Sequence, residues 1–218
     1  MQHNNLGMFM FYKKIIIIFV LSVIFTATAN SADCKKIFEK IDKQNHEIVG
    51  QTGKERIKSL IAIEEDLFEA IDQCKKYSGM FVLMGEVQID MGQVPLAVVY
   101  GRKAVELDSK YWRAYKLLGS ARMLNQEIEF GLKALKQAHS LEPKNVKVQL
   151  NLIGAYIENK KYDEAFSLVN EIINNKDDEN LATAYYLRSR AYTGKGLIIE
   201  ASKDSKKAQE LGFSVQQR

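Results

Sequence analysis

Few residues in this 218-residue chain are of a type and spacing that could carry out chemistry. The spacings HExxH, GxSxG, CxxC and GxxxxGK followed by Ser or Thr are all absent. Two histidines, His46 and His139, lie beyond the first 29 residues. His139 stands beside Ala138 in a helix-forming stretch and reads as a helix-face residue rather than a general base, which would need a reacting group within hydrogen-bond reach. Gly194-Lys195-Gly196 has the lysine and glycines of a phosphate loop but neither the preceding strand nor the further glycines, and a turn between helices accounts for it. Glu64-Glu65-Asp66 offers three carboxylates, but consecutive helical positions point in different directions, so a solvated face explains them better than a cation site. The expectation is a chain with no catalytic residue, no metal ligands and no cofactor, and so not an enzyme.

The two cysteines, Cys34 and Cys74, are the other reactive pair. In an oxidising compartment they can close as a disulfide, which is the reading favoured here. The alternative is two small buried thiols kept reduced. Cys34 begins the first expected helix and Cys74 ends the second, so an antiparallel hairpin brings them to the same side. The arms are unequal, and a bridge needs Cα atoms within about 7 Å.

The compartment is read from the other end of the chain. Lys13-Lys14, the apolar run Ile15 to Phe25 and the small residues Thr26-Ala27-Thr28-Ala29 have the three parts of a secretory signal peptide. The expected cut follows Ala29, and the Asn-, Ile- and Lys-rich usage suits an AT-rich genome, most simply that of a Gram-negative bacterium, so the expected location is the periplasm, with a eukaryotic secretory route as the alternative. The competing reading is an uncleaved anchor, the only route by which a membrane would enter. The run is about half the roughly 20 apolar residues that a span requires. Asp33 before Cys34 argues against a lipid anchor. Losing Lys13 and Lys14 with no acid takes the net charge from +4 to +2. With no basic block on this near-neutral surface, a nucleic-acid partner is not expected.

The elements that must position any site follow from periodicity. Ala70, Ala104 and Ala138 recur 34 residues apart; Gly85 is answered by Gly119, Leu107 by Leu141, and Ala97 by Gly131 and then Ala165. Small residues at a fixed period of this length mark stacked helix pairs, each burying its apolar face against the next. Four units are expected, 78–111, 112–145, 146–180 and 181–215, within a domain of residues 78–218. The period lengthens by two residues inside the polar stretch Asn174 to Asn180, read as a loop. Pro95 opens a second helix and Pro143 follows one. Residues 30–77 read as a helical hairpin that caps the array. Ile37, Phe38 and Ile41 form one stripe, and Ile57, Leu60, Ile61, Leu67, Phe68 and Ile71 another.

Within the units, Ala114-Tyr115-Lys116-Leu117-Leu118-Gly119 through Ser140-Leu141-Glu142-Pro143, and Asn151-Leu152-Ile153-Gly154-Ala155-Tyr156 through Tyr162-Asp163-Glu164-Ala165, resemble tetratricopeptide repeats. The resemblance spans about Ser78 to Val215. It departs from the family pattern at Arg188, where an apolar residue is usual, at Ile172, which replaces an alanine, and in the closing proline, which only the second unit has. The resemblance implies an all-α, right-handed superhelical solenoid of antiparallel helix pairs, with the first helix of each pair lining a concave groove. Carried over position by position, the groove residues are Val82, Glu86 and Ile89; Arg113, Lys116, Ser120 and Met123; Lys147, Leu150 and Ile157; and Tyr186 and Arg190. Some family members clamp a terminal carboxylate there. Lys116 and Arg190 could serve, but Glu86, Ser120 and Gly154 stand where that clamp prefers asparagine.

The implied function is a non-catalytic scaffold or adaptor of the cell envelope, holding a peptide or helix of another protein, for example of envelope assembly machinery. The alternatives are an accessory subunit of an envelope enzyme, a membrane-tethered assembly factor and a self-associating array.

Overall fold

The first helix starts where a side chain can satisfy its open backbone donors. Asn30 Oδ1 accepts from the amides of Ala32 and Asp33 at 2.9 and 3.0 Å, the usual work of an N-cap. Helix α1 (Ser31–Glu47) then buries Cys34, Phe38 and Ile41 on one side, and α2 (Gly53–Gln73) returns antiparallel to it. Cys34 and Cys74 are joined in a disulfide with Cα atoms 5.7 Å apart. The computed structural model describes residues 30–175 and 179–214. The expected signal peptide, residues 1–29, lies outside the described residues, as do Val215 and part of the lengthened loop.

Eight further helices follow as pairs: α3 (Ser78–Asp90) with α4 (Val94–Leu107), α5 (Trp112–Leu124) with α6 (Ile128–Leu141), α7 (Val146–Glu158) with α8 (Tyr162–Asn174), and α9 (Leu181–Gly194) with α10 (Ile198–Glu210). The described chain is thus an all-α solenoid. Each pair turns in the same way. Gly92, Gln126, Lys160 and Gly196 take positive φ values of 77, 62, 57 and 76°. The amide of the residue after each reaches back to the preceding helix, from Gln93 to Gln88, Glu127 to Arg122, Lys161 to Tyr156 and Leu197 to Tyr192, at 2.7 to 2.9 Å. A left-handed residue followed by such a back-bond is the Schellman ending of a helix.

Small residues set how closely the members of a pair approach. A Cβ built on Gly119 would lie 2.6 Å from Leu135 Cγ, and one on Gly131 would lie 2.7 Å from Met123 Sδ. The two glycine backbones face each other across the α5–α6 seam. Between pairs, the core runs as a chain of clusters rather than a single ball. One, for example, joins Val82, Ala104, Ala114 and Leu117, and another joins Ile153, Val169, Ile172, Ala184 and Leu187.

Two sequence readings change here. The expected apolar stripe of α2 splits: Leu60 and Leu67 are buried with Ile63 and Ala70, whereas Ile57 and Phe68 are 57% and 55% exposed and Ile61 is also exposed. At 100° per residue these three lie beside the buried line, on a flank that no described helix covers. Arg188, out of place in an apolar position, is matched by the second helix of its own pair. Its guanidinium forks onto Asp204, with Nε to Oδ2 at 2.6 Å and Nη2 to Oδ1 at 2.9 Å, and donates to Asn170 Oδ1 at 2.8 Å.

Candidate partner-binding groove

The groove expected on the first helices has two unlike halves. In the N-terminal half, α1 reaches across to α5. Arg113 donates to both oxygens of Asp42, at 3.0 and 3.4 Å, and to Glu86 Oε2 at 3.2 Å. Lys116 donates to Glu86 Oε1 at 3.4 Å. Two cations and two carboxylates cancel, and the Arg113 guanidinium, 18% exposed, also sits 5.5 Å from the centre of the Phe38 ring. Burial alone would lower the Arg113 pKa, but Glu86 and the hydrogen bond to Asp42 outweigh it and hold the guanidinium more firmly charged than usual. Beside it the Tyr111 phenol is pushed up to about 12, mainly by burial.

This half is therefore closed to a partner's acid. Glu86, Arg113 and Lys116 are brought together, but as an internal lock between the hairpin and the first two pairs. Val82 is also removed from the groove. It is 0% exposed, because its side chain points into the seam against Ala104, Ala114 and Leu117. Ile157 is likewise buried, in the cluster that holds Ala165, Ala184 and Ala191. Tyr186 stacks on Phe213 with ring centres 4.2 Å apart, so its face is covered too. Lys147 is exposed but stands apart from the lining of the C-terminal half.

The C-terminal half is open. A concave depression of about 600 Å³ lies on α5, α7 and α9, and Ser120, Met123, Leu150 and Arg190 all line it, with Ile89 at its edge. Its floor and walls are largely aliphatic. The pocket size falls within the range of about 300–1,000 Å³ common for ligand sites. Arg190 is paired with Glu158 and lies 6.0 Å from the Tyr186 ring centre. The lining also includes residues not read from sequence as groove positions, among them Asn151, Glu158 and Leu187. The signal for Glu158 was available, since it stands one helical turn after Gly154 on the same face of α7. Asn151 and Leu187 are adjacent to the carried-over positions and needed the actual rotation of α7 and α9.

Reactive groupings do not gather in this depression. His46 Nδ1 donates to the Asp42 carbonyl oxygen at 2.7 Å, and His139 lies on α6 away from the lining. Among the described residues no group of three or more His, Cys, Asp or Glu is placed to hold a metal ion, and no described helix is long and apolar enough to cross a membrane.

Comparison with known proteins agrees with this architecture. Residues 131–190 match the family model described as tetratricopeptide repeat. Among solved structures, MamA is 26% identical, with 72% of this chain and 91% of that chain aligned at a TM-score of 0.60. TTC0263, a thermophilic tetratricopeptide-repeat protein of Thermus thermophilus, aligns over 82% of this chain and 91% of its own at a TM-score of 0.63 and 16% identity. YrrB, a tetratricopeptide-repeat protein with an unusual peptide-binding site, aligns over 72% and 79% at 0.58 and 16% identity. At 16% identity these last two likenesses concern the fold. No curated protein matches the chain.

Proposed function

We propose, from the premise that this chain is a tetratricopeptide-repeat protein, that it is a non-catalytic scaffold or adaptor. It holds a peptide or helical segment of a partner protein in the C-terminal half of its groove. The observation that carries this reading is the open, largely aliphatic depression across α5, α7 and α9, which no described part of the chain fills. The same reading places the protein in the cell envelope. The sequence features Lys13-Lys14, Ile15 to Phe25 and Ala27-Thr28-Ala29 support export with cleavage after Ala29, and the Cys34–Cys74 bridge suits an oxidising compartment.

Tagged protein produced with its leader is purified from envelope extract beside a Ser120→Arg, Leu150→Arg variant of matching circular dichroism. The variant crowds the depression but leaves the Arg113 lock intact. Loss of a co-purifying protein in the variant supports the groove; equal recovery would place the contact elsewhere. The intact mass of the same sample tests export. A chain beginning at Asn30 supports cleavage, and one retaining earlier residues overturns it.

A further inference from the structure

Gly154 is a helix-interior glycine that the fold itself does not need. Glycine in the middle of a helix destabilises it relative to alanine, so such positions usually answer a packing demand. At Gly119 and Gly131 the demand is visible, because an added Cβ would fall 2.6 and 2.7 Å from atoms of the facing helix. At Gly154 an added Cβ would meet nothing within 4 Å. The residue has an ordinary right-handed helical backbone inside α7, so no turn requires it either. It lines the open depression, one repeat on from Ser120. The α7 backbone is therefore bare where it faces the free space of the groove.

The charges around this spot are already spent within the chain. Arg113 is paired with Asp42 and Glu86, Lys116 with Glu86, and Arg190 with Glu158. An incoming carboxylate would meet Glu158 as well as Arg190 and would gain no unpaired cation. The rest of the lining is mostly aliphatic, including Met123, Leu150, Ala155 and Leu187, with Ser120, Gln126, Asn151 and Thr183 as neutral polar groups. What complements such a surface is uncharged and apolar.

We infer that Gly154 is the point of closest approach for an apolar, uncharged segment of the partner polypeptide. One large aliphatic or aromatic side chain of that segment seats on the bare α7 backbone between Met123, Leu150 and Leu187. This rests on the groove reading above and adds to it the class of segment selected and the residue that selects it. Burial of an apolar side chain against backbone supplies the affinity, and any added side chain at position 154 would occupy the same space.

The test uses a displayed library of random 16-residue peptides, half of them with a free C-terminal carboxylate and half amidated. These are selected on the full mature chain, and the enriched peptides are resynthesised. The expected result is enrichment of peptides with large apolar residues at helical or alternate spacing and no acidic bias. Their affinity falls tenfold or more for Gly154→Leu, while Gly154→Ala raises the thermal midpoint of the free protein and weakens binding to a lesser degree. Enrichment of acidic or carboxylate-dependent peptides would overturn the inference. So would peptides that bind Gly154→Leu and the parent equally. In that case loss of binding in the Ser120→Arg, Leu150→Arg variant tells whether the groove reading survives without Gly154. If no peptide is enriched, the inference and the groove reading both fall.

Discussion

At the scale of single residues, the groove cations show how a position can keep its place and change its task. Arg113, Lys116 and Arg190 stand where a carboxylate-binding array would put them, yet each is matched by an acid from another helix. Arg188 shows the same logic inside the core. With Arg188 and Asp204 side chains only 20% and 9% exposed, removing one partner leaves a charge without compensation. Arg188→Leu alone should therefore destabilise by about 3–5 kcal/mol, whereas Arg188→Leu with Asp204→Leu should recover most of the loss. Urea unfolding of the parent, both single variants and the double variant measures the coupling. Additive losses would show that the pair is not a unit.

The sequence displayed Arg188 as an anomaly but not its answer. Asp204 is sixteen residues away, on the opposite helix, and nothing in linear spacing marks the two as partners. The Asp42–Arg113 contact spans 71 residues and was likewise beyond reach. By contrast Ser120, Met123, Leu150 and Arg190 were legible through the family resemblance, whose groove positions recur once per unit and here line the depression. Ile157, one period on from Met123, is buried in a seam instead, and Val82 failed that rule for a physical reason. Next to the terminal hairpin the seam draws it inward, where the small neighbours Ala104 and Ala114 leave room for its branched side chain.

At the scale of elements, helix pairs were readable from the 34-residue period, and so was the pairing of small residues within them. What the period did not disclose is that the turn inside each pair repeats its backbone conformation while its residue type varies. Gly92 and Gly196 suit a left-handed backbone; Gln126 and Lys160 adopt it against their Cβ. Gln126→Gly and Lys160→Gly should each stabilise the fold by about 1 kcal/mol, somewhat reduced by the added freedom of the unfolded chain. The check is the urea midpoint at unchanged slope. Gly92→Ala, which imposes the same strain on a turn now free of it, should move the midpoint the other way. The exposure of Ile57 and Phe68 was hidden by a different ambiguity. Apolar residues over two adjacent flanks of α2 read as one broad stripe until the neighbours are placed.

At the scale of the whole molecule, the array is quasi-one-dimensional, with each pair resting on its neighbours. Its N-terminal end is fastened by the Cys34–Cys74 bridge and by Asp42 on Arg113. The bridge closes a separation of 40 residues, for which chain-entropy arguments give a stabilisation of about 2–4 kcal/mol. Cys34→Ala with Cys74→Ala should lower the stability of the hairpin by that order and leave the distal pairs much less affected. Amide exchange resolved by segment checks this: faster exchange confined to 31–90 is expected, and uniform acceleration through α9 would show that the array unfolds as one unit. The sole tryptophan, Trp112, adjoins Arg113 at the start of α5 and offers a second, optical reading at the same junction.

At the C-terminal end of the described array a single side chain takes up a contact of the kind made between pairs. Val82, Lys116, Leu150 and Tyr186 are equivalent positions, and Val82, the one drawn into the seam, meets Ala114 and Leu117 on the first helix of the following pair. At Tyr186 the partner is Phe213 instead, stacked 4.2 Å away just beyond α10. One aromatic ring thus stands in for a further helix. Anyone lengthening this protein by grafting a fifth pair after α10 would have to remove that ring first, since the newcomer's docking place is already taken.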